Sequence, residues 1–187
     1  MNGQSLYFPL QFPGLESSRL KLRMIHDVDA EIIFRLYANE DVMLQRGEPV
    51  FTNINDAEKL IFHWRKLFAE ENGIRWGITW KENNALIGSV GFKKIFHQHL
   101  RADMGYELDP DYWNKGIMTE AVELVCEYGF QKMNLHSIEA NITPDHHASK
   151  RILEKNGFTQ EAFYKENYFY KHWWDSAIYS RQSGRKQ

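Results

Sequence analysis

The residues best able to do chemistry lie in one run, Gly105-Tyr106-Glu107-Leu108-Asp109-Pro110-Asp111-Tyr112-Trp113-Asn114-Lys115-Gly116-Ile117-Met118-Thr119-Glu120-Ala121. The pattern is a strand end, a turn marked by Pro110, and a helix that begins at Lys115-Gly116. The first amides of a helix lack partners and sit at the positive end of its dipole, so this junction suits an anion. Gly116 admits a phosphate close to the backbone, and Lys115 or Thr119 adds a donor. The same pattern also fits an ordinary capped helix behind a tight turn. Two nucleotide motifs are excluded, because the run has neither the glycine-lysine spacing of a Walker loop nor the three glycines of a dinucleotide fingerprint. His97-Gln98-His99 and His146-His147 gather imidazoles, but no cysteine or carboxylate at ligand spacing completes a set, and no metal is expected.

The elements that must carry this run follow from periodicity. Residues 19–25 alternate polar and apolar as a half-buried strand does, and Ile32, Ile33, Leu36 and Tyr37 then recur at helical spacing up to Asn39. Residues 40–54 hold Gly47, Pro49 and Asn53 and read as a loop. A second helix, capped by Asn55 or Asp56, runs to about Glu71, with Phe62, Trp64 and Phe68 expected in the core. Strands over 75–80 and 85–95 flank the turn Glu82-Asn83-Asn84 as a hairpin, and a third strand covers 103–108. In that strand the alternation sets Met104, Tyr106 and Leu108 on one face and Glu107 on the other. Helix follows from about 116 to 133, strand over 136–142, and helix from Pro144-Asp145 to Lys155. Asn156-Gly157 is a left-handed stop. Strands over 158–164 and 168–179 complete the chain, with 180–187 as a frayed tail. The sum is a mixed α/β sheet with helices packed on its faces.

Composition narrows the function classes. The 187 residues carry 23 basic and 25 acidic groups, a net charge of −2, so a general polyanion binder is disfavoured. There is no basic stripe with interleaved aromatics, which argues against nucleic acid. No apolar run reaches the roughly 18 residues of a membrane span, and residues 1–15 lack the features of a secretory signal. The single cysteine, Cys126, forbids an internal disulfide and reads as a core thiol in a reducing, cytoplasmic setting. One domain over 1–187, with its core at about 19–180, is expected.

Tyr112-Trp113-Asn114-Lys115-Gly116-Ile117-Met118-Thr119-Glu120-Ala121 resembles the acetyl-CoA pyrophosphate loop of the GNAT N-acetyltransferases. The branch it is most similar to is that of the ribosomal-protein N-terminal acetyltransferases. Three more segments agree in order: Ala85 to Phe92 before the loop, Asn141 to Phe158 after it, and Tyr170-Lys171-His172-Trp173-Trp174-Asp175 near the end. Trp113 stands where the family loop opens with Gln or Arg, Met118 where it closes with Gly or Ala, and His146 where the branch has Asn.

The resemblance implies a GNAT fold, a mostly antiparallel mixed sheet with helices on both faces. It implies acetyl-CoA held by Leu108, Trp113, Asn114, Lys115, Gly116, Ile117, Met118, Thr119, Asn141, His146 and Ser149. It further implies Glu107 as the base and Ser149 as the donor to the leaving thiolate, with a backbone amide near Tyr106 to Leu108 for the oxyanion and Tyr164 or Tyr168 as alternative donors. The implied acceptor is a primary amine: the N-terminus of a protein such as a ribosomal protein, or a small amine (polyamine, aminoglycoside or amino-acid-like). Trp76 and Trp173 are candidate walls of the acceptor groove, which residues 40–55 and 164–172 shape. A non-catalytic acyl-CoA sensor is the rival class, and the chain is a monomer or homodimer.

Overall fold

The computed structural model describes residues 5–44 and 46–184. In chain order the strands are β1 (Leu15–Glu16), β2 (Leu20–Met24), β3 (Ile74–Trp80), β4 (Leu86–Phe96), β5 (Arg101–Leu108), β6 (Ser137–Ile142), β7 (Thr159–Tyr170) and β8 (His172–Gln182). The helices are α1 (Ala30–Tyr37), α2 (Glu40–Leu44), α3 (Ile54–Ala69), α4 (Ile117–Gln131) and α5 (His147–Lys155). The strands form one open sheet in the order β1-β2-β3-β4-β5-β6-β8-β7, in which β5–β6 is the parallel pair. Helices cover both faces. The larger core joins the sheet to α4 through Trp76, Phe92, Met104, Val122 and Val125, while α1, α2 and α3 enclose a second cluster around Ile33, Met43 and Ile61.

Several boundaries differ from the sequence reading, each for a local reason. The segment expected as loop contains α2, one short turn of helix whose Val42 and Met43 are buried. The cap of α3 is Asn53 rather than Asn55 or Asp56: its side chain accepts from the Asn55 amide at 2.9 Å, and Asp56 reaches back to the amides of Thr52 and Asn53. Phe62 faces solvent, and Trp76 is wholly buried in the core rather than lining a groove. Tyr168 to Tyr170 end β7 instead of opening β8, because the hairpin turns at Lys171 and a register shift between Tyr164 and Tyr168 absorbs the polar residues there. Residues 180–182 belong to β8; of the expected frayed tail, 185–187 lie outside the described residues.

The first described residues bind the layers together. The Tyr7 amide donates to the Met133 carbonyl at 2.9 Å, the Asn134 amide group to the Ser5 carbonyl, and the buried Trp76 indole to the Pro13 carbonyl at 2.6 Å. Phe8 and Phe12 pack on Phe68 with ring centroids 5.3 and 5.1 Å apart.

In the middle of the sheet β3 and β4 approach so closely at Gly91 that a Cβ there would stand 2.0 Å from the Ile74 carbonyl oxygen and 2.9 Å from Arg75 Cα. Backbone cannot yield as a side chain does. Gly91→Ala should therefore lower stability by about 1–3 kcal/mol, read as the midpoint of denaturant unfolding, and an unchanged midpoint would show that the two strands can part freely.

Candidate active site

The site begins where a ladder stops. β5 stays paired with β4 as far as Leu108 opposite Gly88, but its pairing with β6 runs only from Arg101–Ser137 to Met104–Ala140. Beyond Met104 the two strands part. The Asp109 amide donates to the Ile87 carbonyl at 2.9 Å, and bonded pairs alternate along an antiparallel ladder, so Gly105 and Glu107 turn their backbone groups to β4. Tyr106 and Leu108 turn theirs into the gap. The Leu108 carbonyl takes the Trp113 indole N–H at 2.8 Å. Its amide, and that of Tyr106, point across the opening.

The start of α4 borders the same gap. Asn114 and Gly116 adopt left-handed backbone, φ 59° and 72°, and Gly116 serves as the N-cap without a side chain to cap with. Glu120 makes the first intrahelical bond, to the Gly116 carbonyl at 3.1 Å. The amides of Ile117, Met118 and Thr119 consequently have no partner within the helix. A Cβ on Gly116 would meet only the Arg19 guanidinium, at 3.6 Å, so backbone conformation rather than space calls for glycine. Arg19 ties the loop down through the Lys115 carbonyl at 3.1 Å and Glu120 at 2.6 Å.

A cleft of about 750 Å³ joins these parts. Of the expected cofactor contacts, Leu108, Trp113, Asn114, Gly116, Ile117, Met118, Thr119, Asn141, His146 and Ser149 all line it. Lys115 does not. Its ammonium folds back onto the Asp111 carbonyl at 2.8 Å and lies 5.4 Å from the Tyr112 ring.

Ser149 is buried in the first turn of α5, and its hydroxyl meets that of Tyr106 at 2.5 Å. Burial pushes the Tyr106 phenol far above its ordinary range, with the bond to Ser149 working the other way, so Tyr106 stays protonated. Tyr106 is thus a partly buried, protonated hydroxyl at the cleft that spacing did not single out. Its strand position faced α5, but nothing local announced Ser149 opposite. Cys126 is buried on α4 and its thiol is pushed up to about 12, again by burial, which leaves it inert at neutral pH.

Glu107 faces the opposite side of the sheet, as the alternation requires, but it is no open base. Its Oε2 accepts from Tyr37 at 2.9 Å, from Ser89 at 3.2 Å and from Arg75; its Oε1 accepts from Arg46. A base needs a lone pair free for the amine's proton, and here two guanidinium groups and two hydroxyls occupy the carboxylate. Arg75 crosses the sheet from β3, also bonding Ser89 and the Gly105 carbonyl at 2.7 Å. Burial lowers its pKa to about 10, which still leaves it charged at neutral pH. Arg75, Tyr37, Ser89 and Arg46 come from four separate parts of the chain, so no motif could have flagged them.

A sheet that opens between its central strands beside an uncapped helix start brings two sets of backbone donors to one cleft, which suits a ligand carrying both an anion and amide groups. Residues 19–159 match the acetyltransferase (GNAT) domain family, and the chain belongs to that family. It is an acetyl-CoA-dependent N-acetyltransferase. An uncharacterized N-acetyltransferase of Bacillus subtilis, YoaA, is 38% identical over 90% of this chain and 96% of its own. The crystal structure of a GNAT acetyltransferase from Bacillus anthracis superimposes with a TM-score of 0.82 at 28% identity, covering 92% of this chain and 100% of the other. Two Escherichia coli relatives bear different acceptor names. The ribosomal protein uS5-alanine N-acetyltransferase is 24% identical over 81% of each chain, and spermidine N(1)-acetyltransferase is 25% identical over 85% of this chain and 83% of its own.

Acid stability tests the cleft rim. Burial, and then the neighbouring His147, hold the His146 pKa below the ordinary 6.5. Folding therefore favours the neutral ring: its contribution is intact above pH 6.5 and is lost as pH falls through the depressed folded value. His146→Asn should flatten the decline of thermal midpoint below pH 6.5, and a parallel decline in both proteins would assign the acid loss to other groups.

Proposed function

We propose that the enzyme transfers the acetyl group of acetyl-CoA to the α-amino group of a protein chain, within the cleft where β5 leaves β6. The observation that carries this reading is the parting of those strands beside the uncapped start of α4. The residues fit the co-substrate. The amides of Ile117, Met118 and Thr119, in the first turn of α4 directly after the left-handed Gly116, suit a pyrophosphate. The amides of Tyr106 and Leu108, with Asn141 and His146 at the rim, suit an extended amide-bearing arm. When bound, acetyl-CoA supplies an activated thioester carbonyl.

The chain's own part is donation and placement. As the N–C bond forms and the C–S bond breaks, the Ser149–Tyr106 pair protonates the thiolate and the amine's proton passes to solvent through the open cleft. A gap-facing amide on β5 is a fixed donor for developing negative charge on an oxygen, and it needs no reorganisation. The Ser149–Tyr106 pair holds protonated hydroxyls on the other side of the strand, as a donor to a departing thiolate should. Glu107 acts as a positioning residue that fixes the acceptor wall.

Tyr168 lines the acceptor end of the cleft, and the hairpin around it exposes Phe163, Tyr164, Phe169 and Trp173. Exposed aromatics on the hairpin that brings Tyr168 to the cleft favour a peptide, whose side chains can lie on them. A second reading, a small cationic amine, draws on the carboxylates of Glu48 and Glu107 at the same end.

Release of free CoA from acetyl-CoA, measured against N-terminal peptides and polyamines, tests the function. Peptide-dependent release is expected; release with polyamines alone would select the second reading, and acetyl-CoA binding without release from any acceptor would favour a sensor. Ser149→Ala should lower kcat by roughly a hundredfold, the low end for a positioned proton donor, with KM for acetyl-CoA nearly unchanged. An unaltered kcat would remove Ser149 from the chemistry.

A further inference from the structure

We infer that Arg46 is an internal cation standing in the place of the acceptor's ammonium group on Glu107, and that a cationic acceptor enters by exchanging with it. This rests on the reading of the cleft as the amine-acetylating site. The two oxygens of Glu107 are held unequally. Oε2 is fixed by Tyr37, Ser89 and Arg75, three donors from the sheet and α1, whereas Oε1 is held by Arg46. The Arg75 and Glu107 side chains are 5% and 3% exposed, while Arg46 is 26% exposed and lines the cleft with Glu107. One guanidinium is anchored and the other is at the boundary with solvent.

Arg46 also has somewhere to go. Glu48, two residues on and half exposed, accepts from its Nη2 at 3.0 and 3.1 Å and from its Nε at 3.2 Å. Letting go of Oε1 leaves Arg46 paired with Glu48, and leaves Glu107 neutralised by Arg75. An incoming ammonium then restores the charge that Arg46 withdrew, so both ends of the exchange are balanced. A neutral ligand offers Oε1 no such replacement and leaves a buried carboxylate edge bare, which is costly. The occupant selected is therefore a protonated primary amine. Gly47, next in the chain, packs so tightly on Tyr168 that a Cβ would lie 2.6 Å from its hydroxyl oxygen, so the segment bearing Arg46 is seated against the hairpin where both line the cleft.

The first test needs no turnover. Calorimetric titration of acetyl-CoA-free protein with n-butylammonium should show Arg46→Ala binding about tenfold more tightly than the native protein, since the competing internal cation is gone. Equal or weaker binding overturns the inference. With an acceptor active in the CoA-release assay, the same variant should lower the acceptor's KM about tenfold and leave that of acetyl-CoA unchanged. Millimolar guanidinium chloride, against sodium chloride at equal ionic strength, should inhibit the variant competitively with the acceptor and leave the native enzyme unaffected. Absence of that inhibition in the variant also overturns it. Arg46→Lys keeps the cation and should bind n-butylammonium less tightly than Arg46→Ala does, which separates charge from packing; Arg46→Gln carries the same readouts as Arg46→Ala should the latter fail to fold. Silence of the native enzyme toward every acceptor would count against acetyl transfer, while the binding titration still decides the exchange.

Discussion

The cleft follows from β5 being a strand with two partners for half its length and one for the rest. Backbone N–H and C=O groups inside a protein must be bonded. Where β6 turns away, the groups of Tyr106 and Leu108 lose the partner that the first half of the strand keeps. The fold tolerates this by making the place a cleft, reachable by solvent and by a ligand with amide groups of its own. The start of α4 poses the same demand a few residues later, and the two sets of unpaired donors face one space.

The pleat of β5 then divides the labour. Tyr106 meets Ser149 under α5, and Glu107, the next residue, meets Arg75 and Tyr37 under α1. A single peptide link separates a pair of neutral hydroxyls from a buried ionic network. Their surroundings differ in kind because the two faces of the sheet are covered by different helices, so each side can be tuned without disturbing the other.

What the sequence disclosed was whatever depends on neighbours along the chain. The start of α4, the Asn156-Gly157 stop and the alternation around Glu107 are local features, and they were legible from the residues alone. The family resemblance lent the local run its meaning. Misreadings arose where distant groups decide. Glu107 looked like an open carboxylate because Arg46 and Arg75, 61 and 32 positions away, leave no mark on its neighbourhood. The end of β7 was misplaced because Tyr164 and Tyr168 read as two strands when a register shift makes them one.

The segment from Ser5 to Pro13 has a consequence for how the chain matures. Its anchors are Met133, Asn134, Phe68 and Trp76, all made well after it, and the Met133 bond closes a loop of more than a hundred residues. Contacts of such long range form late, because their loop entropy must be met before they return anything. On the ribosome these residues emerge early and wait, and the Tyr7 amide goes without its acceptor until Met133, just beyond α4, has been made. The earliest part of the chain is among the last to be fastened.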